Sequence, residues 1–379
     1  MPQQAYHADL EDYADRAYGL LESARDGTPS AVAAFAGAPA TIEAARAIVA
    51  QAHGCEDWDA LCALVEGLEA SGAPFAAAYR AIEAHDPDAL AAVLERAPEV
   101  ARQEGTNGND LLAMATATCD DRTVALLLEH GADPNHQNAH GWSAMHQIGY
   151  SNSVHLAPAL LAAGGRTDVS GRGDGGTPLV AALFWGHREI ADALVGAGGV
   201  QPRNLRAAAG AGDTELIAAL AGTPEAGAHR GFYRPHSGFP HWTPGEDPQE
   251  VLDEALSYAA RAGRIAAIDA LIDSGARPGA DVYRGTALVW AAVNGHVDAV
   301  RRLLVRGADP QGLSTFGGES HGEAVTALHF AANVATAQVL LDAGADPTLV
   351  DGHGYGPPAG WARHDGRDEV AALLDSYAA

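Results

Sequence analysis

Gly175 to Gly199 reads GGTPLVAALFWGHREIADALVGAGG, and this stretch decides the fold. Thr-Pro predicts the start of a short helix, because a first-turn proline gives up no hydrogen bond the helix would have made. Small alanines follow and let a neighbouring helix approach closely. Gly186 ends that helix, and a second helix with an apolar stripe follows. Gly198 then ends the second helix and opens an extended finger.

The pattern recurs in RGTALVWAAVNGHVDAVRRLLVRGADP, Arg284 to Pro310, and in VTALHFAANVATAQVLLDAGADP, Val325 to Pro347. GADP stands at Gly131–Pro134, Gly307–Pro310 and Gly344–Pro347, and GARP at Gly275–Pro278. Gly131 to Gly164 spans 33 residues, Gly164 to Gly198 spans 34, and Gly275 to Gly307 spans 32. A fixed period of this length marks a repeat array. The period and motifs resemble the ankyrin-repeat family over about residues 77–376, in roughly nine units. Several units are degenerate. Ala77–Arg102 lacks the Thr-Pro start, and Asp110-Leu111 replaces it in the second unit. The fifth runs from Asn204 to Leu220, and the ninth, Gly354–Ser376, carries Pro357-Pro358 and ends as a cap would. The resemblance implies an all-α ankyrin-repeat solenoid of helix–turn–helix units. It also implies recognition rather than catalysis, since such arrays act overwhelmingly as binding surfaces.

Ahead of the array, Asp9–Arg25 and Thr41–Gln51 read as helices. Ala44–Leu68 looks like two helices around a His-Gly turn, with Trp58 as anchor. This segment resembles a helical module that precedes ankyrin arrays in some bacterial proteins. The expected organisation is a capping module over 1–76 and the array over 77–379.

Composition narrows the function. The 379 residues carry a net charge of −26, which repels nucleic acid and anionic membranes. All 23 basic residues are arginines, so Schiff-base catalysis and a phosphate-loop lysine are excluded. Cys55, Cys62 and Cys119 form neither a disulfide framework nor a zinc motif. The N-terminus lacks a signal peptide's basic and apolar regions, and no apolar run is long enough to span a membrane. A cytoplasmic protein without cofactor or metal is expected.

Two fingers break the period. An insertion at 221–250 contains EAGAHRGFYRPHSGFPHWTPGEDPQE, Glu225–Glu250, which is far richer in aromatic, His and Arg residues than a turn requires. The other is an enlarged finger at 311–325, where Gly307 to Gly344 stretches to 37 residues. In an ankyrin array, the ends of the first helices and the fingers line a concave groove. The resemblance therefore points to Tyr150, Phe184, Trp185, Arg261 and Asn294 on helix ends. It points also to His229, Arg230, Phe232, Tyr233, Arg234, His236, Phe239, His241 and Trp242 in the insertion, and to Tyr283, Arg284, Phe316 and His321 in neighbouring fingers. The bare Gly210-Ala211 end leaves room for the insertion to fold over the groove as a lid.

Blander readings stand beside these. His146, His329, His187 and His296 satisfy backbone groups near helix starts. Tyr258, Trp290, Phe330 and Trp361 recur at one repeat position and read as packing between repeats. The histidines at 229, 236 and 241 fit no common zinc spacing. The expected function is recognition of a protein segment or small molecule, anionic if the arginines face it. The alternative is an atypical enzyme using His236, His321 and Glu323 as acid–base groups on a small organic substrate.

Overall fold

The structure is a computed structural model that describes residues 2–25, 29–139, 141–171, 176–228, 247–282, 285–316 and 324–378. These residues fall into two compact units, one up to residue 171 and one from residue 176. Among the described residues there are only helices, turns and three isolated bridges.

The first unit begins with helices Leu10–Arg25, Ile42–Ala52 and Trp58–Glu66, close to their expected bounds. Thr41 and Asp57 start the last two by accepting from Ala44 N and Ala60 N. Ala17, Leu21, Phe35 and Ala45 form their core, with Trp58 packed against it. Three helix pairs follow: Pro74–Glu83 with Pro87–Arg96, Leu111–Thr118 with Asp121–Glu129, and Ala144–Ser151 with Ala157–Ala162. Pro74 starts the first of these, so the expected boundary at 76/77 falls inside a helix.

The N-terminal segment ties this module to the first repeats. Gln4 N donates to Glu104 O at 2.8 Å, and Asn107 N donates to Gln3 Oε1 at 3.0 Å. Tyr6 lies so close over Gly105 that a Cβ there would stand 2.7 Å from its ring. Buried His53 donates from Nδ1 to Val49 O at 2.8 Å and holds Thr106 Oγ1 at 3.0 Å from Nε2. Burial pushes the pKa of His53 down, which favours this neutral state.

The second unit holds six repeats. Four have two helices in the expected places: Pro178–Trp185 with Arg188–Gly196, Leu205–Ala211 with Thr214–Leu220, Ala287–Val293 with Val297–Val305, and Pro358–His364 with Asp368–Ala378. The sixth repeat of the chain has a long first helix, Pro248–Arg261, paired with Ile265–Asp273. A leucine of the second helix is wholly buried in repeat after repeat, as Leu194, Leu271, Leu303, Leu340 and Leu374. Each such burial contributes about 2 kcal/mol.

Caps explain why degenerate units still fold. Thr177 and Thr286 cap their helices by accepting from Val180 N and Val289 N. Asp110 and Asn204 do the same where Thr-Pro is missing, accepting from Ala113 N and Ala207 N at 2.8 Å. The eighth repeat is different. Its Thr326–Val334 stretch is three residues shorter than the matching Thr286–Val297, so residues 327–330 form turns instead of a helix. Asn333 caps Val334–Asp342 by accepting from Thr336 N at 2.9 Å.

Candidate functional site

The second unit gathers the described candidate residues around one arginine. Arg261 ends the long helix Pro248–Arg261 and is 1% exposed. Its guanidinium carbon lies 3.8 Å from the ring centroid of Trp290, 4.4 Å from that of Phe184 and 5.0 Å from that of Tyr258. Nη1 donates to Phe184 O at 2.7 Å. Aromatic faces are negative, so they hold a desolvated cation that would otherwise be costly to bury.

The backbone of Arg261 is gripped as firmly. Its carbonyl accepts from Asn294 Nδ2 at 2.7 Å and from His296 Nε2 at 2.8 Å, and Asn294 Nδ2 also lies 2.9 Å from Trp185 O. His296 therefore reaches the preceding repeat rather than capping its own helix. Gly186 has φ +80°, and a Cβ there would stand 2.2 Å from Arg261 O. The helix ends of repeats four, six and seven thus converge. The fifth repeat permits this with LRAAAGA, Leu205–Ala211, which has little side-chain bulk. Its Gly210 was expected to be open groove but is buried, and a Cβ there would meet Leu183 at 3.3 Å.

From this centre a run of rings extends through the later repeats. Trp290 meets Phe316 at 4.9 Å, Phe316 meets Phe330 at 4.6 Å, and Phe330 meets Trp361 at 5.2 Å between centroids. Tyr355 continues it at 6.3 Å from Trp361. Trp290 is buried, Phe316, Phe330 and Trp361 are half-buried, and Tyr355 is 70% exposed.

Charged groups lie beneath both ends. Buried Arg206 and Glu254 pair at 3.3 Å, with Arg206 also 6.0 Å from the Tyr258 centroid. Burial works against the charge of Arg206, but Tyr258 and Glu254 raise its pKa overall. At the far end, Asp351 accepts from Trp361 Nε1 at 3.0 Å and from the backbone amides of His353, Tyr355 and Gly356. Burial raises its pKa, but these donors outweigh burial and bring it down to about 2. Wholly buried His329 accepts at Nδ1 from Thr326 N at 3.1 Å, and burial lowers its pKa to about 4. His146 plays the same part for Ser143 N at 3.2 Å.

The predicted binding residues thus separate. Phe184 and Arg261, expected on the groove surface, are buried, because the small fifth repeat lets their neighbours close over them. Trp185, Asn294 and Phe316 are half-buried around the same centre. Tyr150 belongs to the first unit, is 43% exposed and meets Trp142 edge-on at 6.4 Å. His229, Arg230, Phe232, Tyr233, Arg234, His236, Phe239, His241, Trp242, Tyr283, Arg284, His321 and Glu323 lie outside the described residues. The lid and the acid–base reading rest on those positions. Sequence reasoning assigned Tyr258 and Trp290 to packing alone and overlooked Arg206, Glu254 and Asp351. The recurrence of aromatics at one repeat position was the available signal for the ring run. Among the described residues, no group of His, Cys, Asp and Glu is arranged to hold a metal ion. None of the described helices is long and apolar enough to cross a membrane.

A family model described as ankyrin repeats (three copies) matches residues 111–204, 205–314 and 256–351. The chain belongs to the ankyrin-repeat family. Ankyrin arrays are in general protein-interaction scaffolds. Among solved structures, the human ASB11 ankyrin repeat domain is 19% identical, with 70% of this chain and 96% of that chain covered and a TM-score of 0.34. No curated protein matches the chain.

Proposed function

We propose that this ankyrin protein recognises a segment of a partner protein on the second unit, along the first-helix ends and fingers of repeats four to nine. The observation that carries the reading is the ring run from Trp185 to Tyr355. Trp185 and Trp290 lie 6.1 Å apart and begin it. Aromatic and arginine residues supply most of the affinity at protein interfaces. The rigid Arg261 cluster would set the geometry of this surface, and the half-exposed rings would make the contact. The N-terminal module, in the same reading, caps the apolar face of the first repeat.

Site-specific photo-crosslinking in cells tests this. Crosslinkers at Trp185, Asn294 and Tyr355 are expected to capture one common partner, and crosslinkers at Arg301 and Val305 on a second helix are not. Equal capture from both sets would remove the assignment of the binding face.

A further inference from the structure

The two ends of the ring run differ in what already occupies them. At the buried end the protein places its own guanidinium on the rings, with Arg261 3.8 Å from Trp290 and 4.4 Å from Phe184. At the open end the rings of Phe316, Phe330, Trp361 and Tyr355 follow one another at 4.6 to 6.3 Å between centroids. The first three are half-buried, and the row ends at Tyr355 with 70% exposure. Two carboxylates lie along this row, the buried Asp351 beneath it and Asp281 beside Phe316. Asp351 is bound to Trp361 Nε1 at 3.0 Å, and Asp281 accepts from the backbone N of Thr315, next to Phe316, at 2.6 Å.

The arginines nearest in sequence are already engaged. Arg363 pairs with Asp375, and Arg367 pairs with Asp365 at 2.7 Å while donating to His329 O and Ala331 O. The row is therefore partly exposed aromatic surface with engaged carboxylates close by, within a chain of net charge −26. A cation within about 6 Å of such faces is attracted to them, and the field over an acidic surface draws basic partners in and turns acidic ones away.

We infer that the open row Phe316–Phe330–Trp361–Tyr355 docks a basic partner segment, whose arginine or lysine side chains lie on the ring faces as Arg261 does at the buried end. This rests on the second unit being the recognition face and adds the chemistry of the partner.

The probe is a synthetic peptide of alternating Arg and Gly, compared with peptides of the same length in which Gln or Glu replaces Arg. Binding to the full-length protein is followed by fluorescence anisotropy. The Arg peptide is expected to bind, the Glu peptide not to bind, and the Gln peptide to bind more weakly. Tyr355→Ala, at an exposed position, is expected to weaken the Arg peptide about three-fold, the scale of one exposed cation–π contact. Phe330→Leu keeps an apolar residue and is expected to weaken it similarly. Added salt should weaken binding further, as screening requires. If the Gln peptide binds as tightly as the Arg peptide and both respond to Phe330→Leu, the basic partner is wrong but the docking face stands. If the Arg peptide does not bind, the inference is overturned. If it binds without responding to either substitution, the inference falls and the recognition face loses this end of the row.

Discussion

The Arg261 end and the Asp351 end of the second unit both draw rings from one repeat position, Tyr258 and Trp290 at the first and Phe330 and Trp361 at the second, but reach opposite solutions. At the first, a cation is sealed among three rings and 1% of its residue surface remains exposed. At the second, a buried anion sits at the foot of half-buried rings, and the row ends at the exposed Tyr355. Repeat size makes the difference. Around Arg261 the fifth repeat offers Ala and Gly, so helix ends from repeats four, six and seven close together. Around Asp351 the eighth repeat has turns at 327–330 in place of a first helix, and its rings stay only half-buried. In a repeat array each unit packs on its neighbours, so a small or short unit shows its effect next door.

Gly186→Ala is the strongest way to break the comparison. A Cβ 2.2 Å from Arg261 O, on a residue at φ +80°, cannot be absorbed by a side-chain movement. Destabilisation of about 4 kcal/mol is expected, at the upper end for a single substitution, with the loss appearing in chemical denaturation of the full chain. A matched Gly196→Ala should change little, because nothing stands within 4 Å of its Cβ position. Similar destabilisation in the two variants would mean that the close approach at Arg261 is not the organising contact.

Acid probes the other end. The folded pKa of His329 is about 4, against an ordinary histidine value of 6.5, so the unfolded chain binds the proton more readily. The contribution of the neutral, buried ring is fully present above pH 6.5 and is lost as pH falls from 6.5 through about 4. That amounts to about 3 kcal/mol of stability. Asp351, held near 2, gives up its own contribution only below pH 3.8. Urea midpoints measured from pH 7 to 4 should show the slope, and His329→Gln should flatten it. A slope unchanged in that variant would assign the acid sensitivity elsewhere.

The smallest expected effect sharpens the comparison most. Arg261→Lys keeps the charge but loses the flat guanidinium and its multiple donors. It should cost about 2 kcal/mol and leave Tyr355 and its ring neighbours undisturbed. The thermal midpoint and the indole fluorescence of the purified variant check this. A cost near zero would show that charge alone, without stacking, fills the cage.

Much of this fold was legible from Gly175–Gly199 and its copies. The capping residues, the glycine stops and the buried leucines are local signals, and the helix pairs follow them closely. Asp110 and Asn204 show why weak copies remain readable, since any short side-chain acceptor can replace threonine at a helix start. The site was less legible. Phe184 and Arg261 occupy positions that face the groove in a regular repeat, and only the small fifth repeat buries them. Tyr258 and Trp290 were recognised as a ladder, but their ring faces toward Arg261 depend on contacts across separate repeats.

Sequence alone determined the family, the repeat register, the acidic character and the position of the aromatic ladder. These depend on period, composition and residues a few positions apart. Tertiary structure alone decided which rungs are closed by an internal cation and which remain open. That choice rests on how closely three helix ends can approach, a distance set jointly by repeats four to seven and written in none of them singly.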